Sequence, residues 1–303
     1  MWLLLAIAAY VIFAASTITD KYLLGRPIPD ARVYTFYTAV VGLFALGLAP
    51  FGFEIPQGIY IFLDVLAGML FVAALFLFFM AVRIGEVSRV GTSAGGFVPF
   101  FTLLFVYIGT GELPSVMQFV AFVLVMAGSL IIVFERLHKI IENLFVCSLV
   151  MGSSVLFSLY FIAAKFLFFT QPFTSAFIWI KIGGALFALL FLLSPQVRKT
   201  IFAHKKLPLE KTKKFGGILI VKNAAGGLAA LLLHAAISTA RFGEIALIQA
   251  LQGVQFTLVF FIALSLTKKF PKVIKEETHG AALAAKFLGT GLVATGVAVL
   301  ALL

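Results

Sequence analysis

Few side chains capable of chemistry interrupt the long apolar runs of this 303-residue chain. Lys181 stands near the middle of the run 173–193, and Lys222 with Asn223 stands about two turns into the run 215–239. His234 follows in that same run, and Gln249, Gln252 and Gln255 recur every third residue in the run 245–266. An ionisable group at membrane depth is costly enough to mark a site by default. Residues three apart on a helix share roughly one face, so the glutamines line up. Buried ammonium groups beside amides and an imidazole suit a neutral, zwitterionic or anionic solute. Lys181, Lys222, Asn223, His234, Gln249 and Gln252 are therefore the candidate solute-binding residues. Each also has a plainer reading. Lys222 can snorkel to the interface, Lys181 can cap a backbone carbonyl, and His234 can be a packed, satisfied histidine. The glutamines can join helices, at about 1 kcal/mol or less each.

Other chemistry is excluded by type and spacing. One cysteine, Cys147, leaves no internal disulfide. The histidines at 138, 204, 234 and 279 lack the three- or four-residue spacing of a helical metal pair. No Gly-x-x-x-x-Gly-Lys-Ser/Thr occurs, so direct ATP drive is not expected. No cofactor, metal or enzymatic activity is expected. Gly91-Thr92-Ser93-Ala94-Gly95 does match Gly-x-Ser-x-Gly, which in hydrolases exposes a nucleophilic serine. An intramembrane serine hydrolase using Ser93 and His234 is thus an alternative, and a non-transporting scaffold is another.

The elements that would hold these residues follow from composition. Hydrophobic residues make up 62% of the chain, charged residues 12%, and the mean hydropathy is +1.14. A soluble domain carries roughly twice that share of charge. With about 20 apolar residues per crossing, ten spans are expected: 2–19, 33–48, 59–82, 87–109, 116–134, 143–165, 173–193, 215–239, 245–266 and 280–303. The run beginning at Trp2 reads as a first span, not a cleavable signal. The net charge of +11 is read as facing the membrane surface, not nucleic acid, because the basic residues fall between the apolar runs. The connection 195–214 is the most basic, a solvated loop or a contact for anionic lipid.

The chain also repeats itself. Arg83-Ile84-Gly85-Glu86 and Arg241-Phe242-Gly243-Glu244 each join two apolar runs, and each is followed by Phe-Thr-Leu, at 101–103 and 256–258. Lys21 with Tyr22 after the first span matches Lys165 with Phe166 after the sixth, and Leu43-Phe44-Ala45-Leu46 matches Leu186-Phe187-Ala188-Leu189. The fold class expected is an all-α integral membrane protein of ten transmembrane helices in two five-helix repeats, 1–139 and 140–303. An odd number of spans per repeat inverts the second copy, as in many secondary transporters. The paired glycines Gly95-Gly96, Gly183-Gly184 and Gly226-Gly227, with Gly289 and Gly291, are expected to admit close helix approach.

The Arg-x-Gly-Glu turns, the Ser/Gly-rich fourth span with Pro99 before Phe-Thr-Leu, and Gly111-Glu112-Leu113 before the fifth span resemble the EamA-type branch of the drug/metabolite transporter superfamily. The resemblance spans essentially the whole chain, and departs from the pattern at Lys268-Lys269-Phe270, where a second Gly-Glu-Leu would fall. It implies a ten-helix bundle that moves small metabolites by alternating access through a central cavity walled by spans eight and nine. Small multidrug exporters of that superfamily depend on a membrane-embedded acid. Here Asp20, Asp64, Glu86, Glu142 and Glu244 read as lying at or near span ends, so proton-driven export of cations through such an acid is not expected. Nearly all basic residues follow odd-numbered spans, whereas the opposite connections hold Lys165 and Arg241. The positive-inside rule then places both termini outside, while the resemblance implies both inside. A prokaryotic inner membrane is the expected location, and the oligomeric state is open.

Overall fold

The computed structural model describes the backbone of the chain except at 24–29, 85–86, 142, 203–208 and 270–279. Side chains are likewise described except there and at 18–23, 87–89, 91–92, 133–141, 202, 209–223, 266–269 and 280–282. The described residues form helices and no strand. In chain order these are α1 (Trp2–Leu23), α2 (Ala31–Gly42), α3 (Gly58–Ile84), α4 (Val87–Thr110), α5 (Val116–Ile141) and α6 (Leu144–Thr170). They continue as α7 (Phe173–Leu189), α8 (Pro195–Phe202), α9 (Leu209–Thr239), α10 (Ile245–Ala250), α11 (Gln252–Lys269) and α12 (Gly280–Ala301). Short 3-10 turns extend α2 and α7, and a third precedes α10.

Each of the ten segments expected from sequence is helical. Seven described stretches are long and apolar enough to cross a membrane, and 2–17, 116–132 and 224–239 are shorter apolar helices. The chain is an all-α protein of the membrane type. Side chains such as Leu4, Phe44, Phe62, Ile108 and Val123 are exposed on its outside. These suit lipid, since a helix in hydrocarbon need only satisfy its own backbone.

Two segments differ from expectation. The basic connection 195–214 is not a plain loop. Pro195 opens α8, its missing N–H being harmless in a first turn, and α9 already begins at Leu209. Val197, on α8, is fully buried, so apolar contact fixes this helix to the bundle. The segment 245–266 is not one continuous helix either, because the chain turns at Leu251 between α10 and α11. That break removes the single face on which the three glutamines were expected to align.

The core lies where α6, α7, α9 and α10 meet, around Tyr160, Leu167, Ile180, Ile237, Leu247 and Ile248. The most extensive packing is of α5 on α12, of α3 on α6 and α7, and of α1 on α9. At two of these crossings backbone meets backbone. A Cβ on Gly128 would sit 2.5 Å from the Gly289 carbonyl oxygen, so α5 and α12 touch there without side chains. A Cβ on Gly68 would collide with the Ile180 carbonyl, and Gly184 N lies 2.5 Å from that point, which locks α3 to α7. Small residues allow such approach, which replaces the missing hydrophobic drive between helices in lipid. Gly183 and Gly289 thus act as expected, whereas Gly227 and Gly291 face open space.

Candidate functional site

Lys181 and His234 belong to one cluster, built from four helices. Lys181 Nζ lies 4.8 Å from the ring centre of Phe71 on α3 and 4.9 Å from that of Phe177, one turn earlier on α7. A cation over ring faces gains about 0.5–2 kcal/mol, rising with desolvation. Among the described residues no carboxylate lies within salt-bridge reach of this ammonium. The Phe177 ring also meets His234 of α9, with centroids 5.2 Å apart, and Phe71 meets Tyr160 of α6 at 4.9 Å.

His234 is buried and both of its ring nitrogens are engaged. Nδ1 lies 2.6 Å from the Ala230 carbonyl, which can only accept, so Nδ1 carries the proton. For the neutral ring, Nε2 is then the acceptor and the Tyr160 hydroxyl donates to it. The imidazole therefore ties α6 to α9. Neither nitrogen is bonded to Ser93, which lies fully buried on α4.

The glutamines go three ways. Gln249 is buried on α10, with no partner for its Nε2 among the described residues. Gln252 Oε1 packs 2.9 Å from where a Cβ on Gly95 would stand, so α11 rests against α4. Gln255 Nε2 donates to Thr17 Oγ1 at 3.0 Å, joining α11 to α1. Lys222 and Asn223 stand on α9, but their side chains lie outside the described residues.

At one end of the bundle a cleft of about 650 Å³ opens between the α4–α5 turn, the end of α6 and the turn 240–244. Glu112, Gln118, Lys165, Arg241 and Glu244 line it. Gln118 Nε2 donates to Glu244 Oε1 at 3.0 Å, and the backbone N–H of Arg241 donates to Oε2 at 2.7 Å. Glu112 Oε2 accepts the Gly243 N–H at 3.3 Å. Glu244 thus serves its own turn rather than pairing with the Arg241 side chain, which is exposed. The matching turn of the first half includes Gly85 and Glu86, outside the described residues. A second hollow of about 120 Å³, between α3 and α6, is lined by apolar side chains alone.

Sequence reasoning missed two groups. Lys165, read there as part of a connection, is buried and donates from Nζ to the Ser238 carbonyl at 2.9 Å. Asp64, read as a span-end acid, is fully buried on the inner face of α3. Its Oδ1 accepts from Gln171 Nε2 at 2.7 Å, while Oδ2 and Gln171 Oε1 have no partner among the described residues. An acid six residues beyond the first residue of a helix looks interfacial along the chain. Here the α6–α7 turn covers it.

No family model matches this chain, and no curated protein does. Among solved structures 18 chains match. One is a protein crystal structure with a TM-score of 0.66 and 14% identity, covering 98% of this chain and 97% of its own. The whole helical bundle thus follows a fold already seen in a solved protein.

Proposed function

We propose that the chain is a secondary transporter of a small polar metabolite, zwitterionic or anionic, working by alternating access between two inverted five-helix repeats. Lys181 is the observation that carries this reading. An ammonium inside a membrane helix, bounded by the rings of Phe71 and Phe177 with no carboxylate in reach among the described residues, suits the anionic group of a solute. Gln249, with a buried amide still to be matched, is a second polar contact for the solute.

The packing supports the repeat. With the halves 1–139 and 140–303 exchanged, α3 on α6 becomes α9 on α1, α4 on α6 becomes α11 on α1, and α5 on α12 maps onto itself. These contacts are all present, whereas α3 on α7 has no counterpart of like extent in α9 on α2 among the described residues. Irregularities pair as well. Pro99 lies inside the continuous α4 just before its Phe-Thr-Leu, and the break at Leu251 comes before the second Phe-Thr-Leu. A proline in one helix and a break in its counterpart fall at corresponding places in the two halves, where many transporters hold their binding region. Ten crossings, a lipid-facing α8 region and a prokaryotic inner membrane belong to the same reading.

A thermal-shift screen of the purified protein against amino acids, organic anions, sugars and nucleosides tests it. Ligand at 100 times its Kd stabilises the folded state by about 2.7 kcal/mol. Hits are expected among carboxylate-bearing solutes, and uptake of the same compounds into liposomes should follow. Stabilisation by none of the classes, with no flux in liposomes, refutes the reading.

A further inference from the structure

We propose that Asp64 and Gln171 form a proton-binding site that couples proton movement to solute transport. The coupling rests on the transporter reading, whereas the proton site itself does not.

Gln171 caps α6 in an extended conformation and leads through Pro172 into α7. Its amide meets Asp64 of α3 in one hydrogen bond, Nε2 to Oδ1 at 2.7 Å. What remains is an odd pair of atoms, Asp64 Oδ2 and Gln171 Oε1. Both are buried and both are acceptors. Exchanging the amide's oxygen and nitrogen leaves an oxygen facing a carboxylate oxygen, so no flip removes the mismatch. One proton does. Bound to Oδ2, it turns one of the two unpartnered acceptors into a donor, while Oδ1 keeps the hydrogen bond from Nε2. It also removes a buried charge that has no countercharge among the described residues.

Among the described residues, no charged or titratable group on the helices packed against α3 is hydrogen-bonded or ion-paired to Asp64. On α6, Lys165 is bonded to the Ser238 carbonyl and Tyr160 to His234. On α7, Lys181 lies between Phe71 and Phe177. On α2, Arg32 pairs with Asp30, Tyr34 stacks edge-on against Phe79, and Tyr37 is exposed. On α3 itself, Arg83 is exposed at the far end and Tyr60 packs against the core. The side chain of Arg89, on α4, lies outside the described residues. Two acceptors are too few to replace the hydration shell of a metal ion, and no group of three ligating side chains surrounds them among the described residues.

The site is mechanically linked to the solute cluster. Gly68, one turn on from Asp64, is wedged against the α7 backbone at Ile180 and Gly184. Phe71, two turns on, is the ring beneath Lys181. The hydrogen bond from Gln171 Nε2 to Asp64 Oδ1 ties α3 to the α6–α7 turn. When the proton leaves to solution from Oδ2, a charge remains in a buried site, and the cost of keeping it from water favours an opening that shifts the part of α3 carrying Phe71. The proton gained on one side of the membrane is the one released on the other, and no further reactant is needed.

Infrared spectroscopy of the purified protein in detergent tests this. At neutral pH the wild type should show the C=O stretch of a protonated carboxylic acid. Asp64→Asn should lose that band, and Gln171→Leu should shift it, because the amide partner is gone. Identical carboxylic-acid bands in wild type and Asp64→Asn overturn the proposal. If Asp64→Asn does not fold, an unshifted band in Gln171→Leu overturns it instead. A band that disappears on adding sodium chloride at constant pH also does so, by assigning the site to a metal cation. In liposomes holding a pH-sensitive dye, a solute found by thermal shift should drive proton flux in the wild type. Asp64→Asn should lose that flux and keep solute exchange. A wild type that carries no solute refutes the transporter reading, and the infrared band still decides the proton site.

Discussion

Among the described residues two carboxylate–glutamine pairs lie in this bundle, and they are built to opposite ends. Glu244 sits in an open cleft, and both of its oxygens receive donors, Gln118 on one side and a backbone N–H on the other. Asp64 is fully buried, and only one of its oxygens receives a donor. The half-buried acid at the cleft is fully provided and the buried one under-provided, the reverse of what stability alone would select. A saturated carboxylate beside water is a clamp on its turn. A half-saturated one away from water is a place where a proton changes something.

The largest expected effect comes from removing the glutamine of each pair. Gln171→Ala leaves Asp64 with no described donor in a buried site, and should lower stability by about 3 kcal/mol. Gln118→Ala leaves Glu244 its backbone donor and access to the cleft, and should cost no more than about 1 kcal/mol. Thermal or chemical unfolding in one detergent reads both. Equal losses would dissolve the contrast.

The lysines at 165 and 181 give the same contrast in cations and a smaller effect. Lys165 completes a hydrogen bond to Ser238, so Lys165→Met should cost about 1.5 kcal/mol. Lys181 rests on rings, and Met can occupy a similar volume there. Lys181→Met should therefore leave the solute-free protein as stable as before and erase the stabilisation by carboxylate solutes seen in a thermal-shift screen. A variant that still binds those solutes with wild-type affinity removes Lys181 from the site.

How much of this could be read along the chain follows from what each feature needs. Apolar runs report helices directly, so α1 to α7 fall where hydropathy put them, and a lysine at 181 within such a run is conspicuous. Gly183 and Gly289 were readable because small residues in lipid-facing helices have few other uses. The ring faces around Lys181 were not, since 35 phenylalanines make Phe71 and Phe177 indistinguishable from the rest. Asp64 was misread because its cover, Gln171, is more than a hundred residues away in the chain. The break at Leu251 has no proline or charge to announce it, and Gly253 after it packs against Ser129 like an ordinary contact glycine.

A third acid calibrates the scale from the solvent side. Asp30 caps α2, accepting from the Arg32 backbone N–H at 2.9 Å and pairing with its guanidinium at 2.8 Å. The side-chain hydrogen bond from Arg32 is the main cause that holds the Asp30 carboxyl below its ordinary pKa, against a smaller opposing effect of burial. A depressed folded-state pKa means the unfolded chain takes up the proton first. The stability contributed is therefore full above the ordinary carboxylate range and is lost as the pH falls through that range to the lower folded value. The pair is partly exposed and screened, so Asp30→Asn should cost no more than about 1 kcal/mol at neutral pH. That cost should fade in acid and shrink with salt. Melting curves of wild type and Asp30→Asn should accordingly converge on acidification. Curves that diverge in acid would show that Asp30 is worth most when protonated, the behaviour reserved here for Asp64.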